Sequence, residues 1–212
     1  MTIDFVSDIC CPWCAIALRS LELAIERIGD AIDIDLRFQP FELNPDMPPE
    51  GQNIVAHVGE KYGSTPEQSA QARANIRAQG ASLGLDMTMS ARSRMYNSFD
   101  AHRLLHWSGP QGRQHALKRA LFEAYFAREE SPADHDVLAD VAGRAGLDPA
   151  EARAVLESGA GAQAVRSAEQ FWIARGIDAV PAIVIDERHL ISGAHAPEAF
   201  EQALRKIAAA GD

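Results

Sequence analysis

Residues 7–14 read Ser7-Asp8-Ile9-Cys10-Cys11-Pro12-Trp13-Cys14 and hold every cysteine of the 212-residue chain. Three thiols crowded together make no disulfide framework, which needs pairs spread along a chain. Cys11-x-x-Cys14 instead has the spacing of dithiol–disulfide exchange, which requires two sulfurs close enough to bond, one of them accessible and ionised. The flanks say where the motif sits. Upstream, Ile3 to Ser7 is a short apolar run, predicted to be a buried strand. Downstream, Cys14, Leu18, Leu21, Ile25 and Ile28 recur at three or four, one face of a helix that Gly29 ends. Then Ile32, Ile34, Leu36 and Phe38 alternate with Asp33, Asp35, Arg37 and Gln39, the pattern of a half-exposed edge strand. Strand, helix and strand in so short a stretch predict a βαβ unit with parallel strands.

That placement gives the two thiols different jobs. Cys11 falls at the start of the helix, where unsatisfied N–H groups and the macrodipole favour a thiolate. Cys14 lies one turn on, on the apolar stripe, and is expected to be the more buried, resolving thiol. Pro12 suits the first helical turn because it has no N–H to lose. Trp13 is expected to cover the site and offer an apolar surface to substrate. Cys10 cannot pair with its neighbour without distorting the peptide between them, and reads as a small packed residue, a regulatory thiol being the alternative. A zinc site would need further ligands. His102 and His106 are spaced i, i+4, but their polar helix favours solvated or satisfied histidines, so no metal is expected.

Farther along, the stretch Asn44 to Asn53 carries three prolines, a glycine and two acids and reads as a loop. Strand signal then nearly vanishes until Ile183. Thr65-Pro66-Glu67-Gln68 and Asp148-Pro149-Ala150-Glu151 are helix starts with an N-cap, a proline and a capping-box residue. Amphipathic segments are predicted over 97–109, 114–128, 134–146 and 162–175. Residues 182–186 form a short strand, Glu187-Arg188 a turn and residues 189–192 a second strand, hence an antiparallel hairpin. Pro197 opens a final helix with Phe200, Ala203, Leu204 and Ile207 on one face. The expected architecture is α/β, a thioredoxin-like βαβ–αββα fold formed by residues 1–52 and 161–212, interrupted by an all-helical insertion over 53–160.

Composition narrows the function. With 47% hydrophobic and 24% charged residues the chain is globular. Its formal charge of −10 disfavours nucleic acid and anionic lipid surfaces as partners. No apolar run approaches transmembrane length, and Met1 to Asp8 carries no basic or apolar leader pattern, so the expected location is cytoplasmic.

Together, the Ser7-Asp8 and Cys11-Pro12-Trp13-Cys14 motif, the Phe38 to Pro45 stretch (FQPFELNP), the helical insertion, Gly176 to Asp186 (GIDAVPAIVID) and Ile191 to Ala194 (ISGA) resemble the DsbA-family thioredoxin-fold oxidoreductases, most nearly the FrnE-like branch. The resemblance runs from Ile3 to about Ile207. It implies Cys11 as nucleophile, Cys14 as resolving cysteine and Pro181 as a cis proline beside them. It also implies that a peptide or glutathione backbone adds to the Val180 edge. Related kappa-class glutathione transferases and 2-hydroxychromene-2-carboxylate isomerases typically carry serine at the position of Cys11; both cysteines here favour redox chemistry. Asn44 falls near a glutathione-contacting position of that branch, or serves the turn before Pro45. Ala17, where many FrnE-like sequences have glycine, is a departure.

The expected function is thiol–disulfide oxidoreductase or isomerase, acting on a disulfide- or thiol-containing protein or on glutathione. No cofactor is expected beyond glutathione as co-substrate, and the chain is compatible with monomer or homodimer. Two alternatives stand beside it, a glutathione-dependent isomerase or transferase and a non-catalytic holdase using the groove around Trp13 and Phe41.

Overall fold

A computed structural model describes residues 1–48 and 50–210. Pro49, one of the loop prolines, and the last two residues of the 161–212 segment lie outside the described residues. In chain order the elements are β1 (Thr2–Ser7), α1 (Pro12–Ile28), β2 (Asp35–Pro40), β3 (Gln52–Asn53), α2 (Ile54–Tyr62), α3 (Pro66–Ser82), β4 (Arg94–Met95), α4 (Phe99–Ser108), α5 (Gln114–Phe126), α6 (His135–Arg144), α7 (Pro149–Ser158), α8 (Ala162–Ala174), β5 (Ala182–Ile185), β6 (His189–Ser192) and α9 (Pro197–Ala210).

The main sheet has the order β2-β1-β5-β6. β1 runs parallel to β2, in register from Thr2 opposite Asp35 to Ser7 opposite Pro40. It runs antiparallel to β5, Val6 facing Ala182. The βαβ unit, the edge position of β2 and the β5–β6 hairpin are therefore those read from the pattern. This is the thioredoxin-like fold.

Period two sorts the sheet's side chains onto two faces. Ile3, Phe5, Ile183 and Ile185 join α1, α9 and the helices α3–α7 in one continuous cluster, which contains Leu21, Leu104, Leu117, Leu121, Leu138, Phe200 and Leu204. Val6, Ala182 and Val184 face the other way, covered by Trp172 of α8 with Phe41 and Ile177. One core thus contains residues from both the sheet region and the helical stretch.

Several boundaries differ from expectation. β2 begins at Asp35 because Gly29–Ala31 forms a 3₁₀ turn that takes up the chain before it. The stretch after β2 is not wholly helical: Gln52–Asn53 pairs with Arg94–Met95 in a two-stranded ladder. Gly51 makes that ladder geometrically feasible, since its φ is +68° and a Cβ there would sit 2.4 Å from the Met95 carbonyl oxygen. α2, invisible as a separate element in the pattern, is started by Asn53, whose Oδ1 accepts from the N–H groups of Val55 and Ala56. The hairpin turn falls on Asp186 and Glu187, both at positive φ, rather than on Glu187-Arg188. That is the backbone of a tight primed turn, closed by Arg188 N–H donating to the Ile185 carbonyl at 3.0 Å.

Candidate active site

Cys11 is the N-cap residue of α1, with extended φ, ψ of −91°, 112° and Pro12 directly after it. Its carbonyl accepts from the N–H groups of Cys14 at 3.1 Å and Ala15 at 3.4 Å, the first turn of the helix. Cys14 is wholly buried in the main cluster, as the apolar stripe requires. Burial pushes its thiol well above the ordinary value, and the hydrogen-bonded side chain of Cys11 adds to this. Cys11 itself is only 4% exposed, less open than a reactive thiol was expected to be. All three cysteines are free thiols.

The segment before β5 lies against Cys11. The Val180–Pro181 peptide bond is cis, as the resemblance implied, and Pro181 is buried. The Cys11 thiol approaches the Val180 carbonyl at 3.8 Å. Trp13 stands beside it with 38% of its surface exposed.

The loop carrying the motif is pinned from below by Asp8. Its Oδ1 accepts the Cys10 N–H at 2.9 Å and its Oδ2 accepts the Leu43 N–H at 2.6 Å, tying the cysteine loop to the loop after β2. Burial raises the Asp8 carboxyl above its usual range, opposed by those two N–H groups and the Ser98 hydroxyl. Cys10 packs as a small buried residue whose thiol donates toward the Tyr96 carbonyl at 3.6 Å. Lys118 of α5 is fully buried, and among the described residues its Nζ has no hydrogen-bond partner; it lies 4.8 Å from the Phe122 ring centre. Burial drives its ammonium down to about 8, against the opposing pull of Cys14, Asp8, Cys11 and Cys10.

Cys10, Cys11, Pro12, Trp13, Asn44 and Val180 all border one cavity of about 330 Å³. Its far wall comes from α2, α3 and the β4 region, including Ile54, His57, Ile76, Met89 and Met95. Asn44 thus reaches the site, but its Oδ1 is already engaged by Lys61 Nζ at 2.8 Å. The far wall escaped sequence reading: its methionines fall in a segment without periodicity, and α2 was not recognised. His102 is buried with Nε2 3.1 Å from the Phe41 carbonyl, whereas His106 is exposed. Among the described residues no group of three metal-ligating side chains forms. No helix of the described residues is long and apolar enough to cross a membrane.

A cysteine pair at a helix N-terminus, faced by a cis proline next to a central strand, defines a dithiol protein of the thioredoxin fold. The chain belongs to the DSBA-like thioredoxin domain family, which matches residues 2–205. It is similar to a probable DsbA oxidoreductase of Streptomyces coelicolor, at 34% identity and a TM-score of 0.91, over 97% of this chain and 89% of that one. More distant similarity, at 17% identity, extends to a 2-hydroxychromene-2-carboxylate isomerase (TM-score 0.69, 100% and 95% covered). The cytosolic disulfide reductase DsbM of Pseudomonas aeruginosa, solved with glutathione, is also 17% identical (TM-score 0.63, 97% and 98% covered). These two share the fold.

Proposed function

We propose that the protein is a thiol–disulfide oxidoreductase or isomerase that works through Cys11 and Cys14 in the cytoplasm. The observation that carries the reading is the placement of Cys11 at the N-terminus of α1, against Val180 and Pro181, with Cys14 one turn behind it. Cys11 thiolate attacks one sulfur of a substrate disulfide, forms a mixed disulfide and expels the other sulfur as a thiolate. Cys14 then loses its proton and attacks the Cys11 sulfur, releasing the second substrate thiolate. Two electrons pass to substrate, and two equivalents of an external thiol, glutathione in this reading, restore the dithiol while becoming a disulfide.

Val180 supports a docking role for extended substrate. It precedes β5, and among the described residues its N–H and carbonyl take part in no backbone hydrogen bond. A peptide or glutathione backbone laid along it would pair there. Family membership and the similarity to a probable DsbA oxidoreductase support the same chemistry. The test is insulin reduction with glutathione as reductant: Cys11→Ser is expected to abolish it and Cys14→Ser to stall it as a mixed disulfide. Full activity in Cys11→Ser would overturn the proposal.

A further inference from the structure

α3 buries an unusual face. Its buried positions are Ser69, Arg73, Ile76 and Gly80, spaced four, three and four, so the stripe that should be apolar carries an arginine at its second position. Arg73 is 7% exposed and lines the cavity beside Cys11. Its Nη1 donates to Ser69 Oγ at 2.6 Å, and it makes no other side-chain hydrogen bond and no ion pair among the described residues. Arg77, one turn on, is exposed and its Nη1 donates to the Met89 carbonyl at 3.3 Å, whereas Arg73 is buried and lines the cavity itself.

The other buried arginine of the region shows what a structural one looks like. Arg103 meets Asp100 Oδ1 at 2.6 Å and donates to the carbonyls of Ala160 at 2.9 Å, Leu156 at 3.3 Å and Val155. Its fork is filled. Arg73 has a hydroxyl and an opening. Its Nε and Nη2 make no hydrogen bond among the described residues and are not sealed from solvent, and a carboxylate meets such a planar fork with two parallel hydrogen bonds. Among the described residues no acidic side chain borders this cavity, whose lining is otherwise dominated by apolar and aromatic residues.

We propose that this cavity binds a small molecule with an apolar body and one carboxylate, the carboxylate held by Arg73 and the body lying over Ile76, Met89 and Met95 toward Cys11. A volume of about 330 Å³ is at the small end of ligand pockets, which fits a compact aromatic or branched acid rather than a folded partner. That this occupant is a substrate, carrying a disulfide or thiol to Cys11, rests on the function proposed above; its binding does not.

The probes are therefore redox-inert. Calorimetric titration of the reduced protein with 2-naphthoate and with its neutral counterpart 2-naphthamide is expected to show the acid binding roughly tenfold tighter or more. Arg73→Gln removes the preference, Arg73→Lys keeps part of it, and Arg188→Gln, an exposed arginine on the β5–β6 turn, leaves it intact. Bound 2-naphthoate also slows alkylation of Cys11 by iodoacetamide in proportion to occupancy, a readout in the unaltered chain that stands even if Arg73→Gln fails to fold. Equal affinity for acid and amide, no binding of either, a preference that survives Arg73→Gln, or an unprotected Cys11 would each overturn the proposal. Tighter binding of an acetylated apolar peptide with a free C-terminus would overturn the small-molecule assignment. Naphthoate binding with no insulin reduction would sink the disulfide function and leave this site standing.

Discussion

The thiol of Cys11 and the carbonyl oxygen of Val180 stand 3.8 Å apart although 169 residues separate them. The sheet makes this meeting: β1 delivers the cysteine loop at its C-terminal end, and its antiparallel pairing with β5 brings the start of β5 to the same end. The helices between β2 and α8 are spliced in without disturbing that register, and they furnish the cavity's far wall. Trp13 closes the near side.

Trp13 is a large exposed apolar side chain next to the proposed nucleophile. Trp13→Ala is expected to lower kcat/KM for insulin reduction by roughly three- to tenfold, because an aromatic anchor for substrate is lost. Stability should move by no more than about 0.5 kcal/mol, as for other surface changes. Parallel activity and urea-unfolding measurements separate the two effects.

Lys118 links stability to pH. Below about 8 its amine is charged in both folded and unfolded chains, and the folded form bears the cost of burying it. Between about 8 and the ordinary 10.5 the folded chain has shed the proton and the unfolded chain still holds it, so stability rises with pH across that window. Lys118→Met is expected to stabilise the protein at pH 7 by about 1–3 kcal/mol and to flatten the rise above pH 8. Because the Lys118 charge lowers the Cys14 thiol, the same variant should resolve mixed disulfides more slowly. Urea unfolding at pH 7 and 10, with quenched-flow sampling of the mixed disulfide, checks both.

Asp8→Ala removes the acceptor of two buried N–H groups, those of Cys10 and Leu43. Leaving both unpaired is expected to destabilise the fold by roughly 2–4 kcal/mol. It also releases the cysteine loop from the loop after β2, so hydrogen exchange at Cys10 and Leu43 should accelerate together.

On the opposite side of the sheet, Arg166 Nη1 bridges Glu42 and Glu169, and the second oxygen of each carboxylate is buried with no partner among the described residues. Burial first, and then the Glu42 charge, raises Glu169 to about 7. Between the ordinary 4.5 and about 7 the folded chain holds a proton that the unfolded chain has lost, so stability falls as pH rises through that window. Glu169→Gln should flatten this fall and gain ~1 kcal/mol at pH 8 after allowance for solvent screening, measured by thermal melts from pH 4 to 8.

Much of this was legible in the sequence, for identifiable reasons. The βαβ unit around Cys11 follows from two clean periodicities, and Pro66 and Pro149 mark the starts of α3 and α7 because proline and N-cap chemistry are local. α2 and the β3–β4 ladder were missed because their stability comes from tertiary partners: Gln52 and Asn53 have no strand propensity, and Met95 meets Gln52 only across the chain. Arg73 was invisible for the same reason. Nothing in a polar helix says which face a distant cavity will claim.

The central claim is that Cys11 attacks and Cys14 resolves. Mass spectrometry of Cys14→Ser after exposure to a disulfide substrate tests it most directly. The account predicts one covalent adduct per chain, mapped to Cys11 and released by a strong reductant, with none in Cys11→Ser. Adducts on Cys10, or an unmodified Cys11, would contradict it.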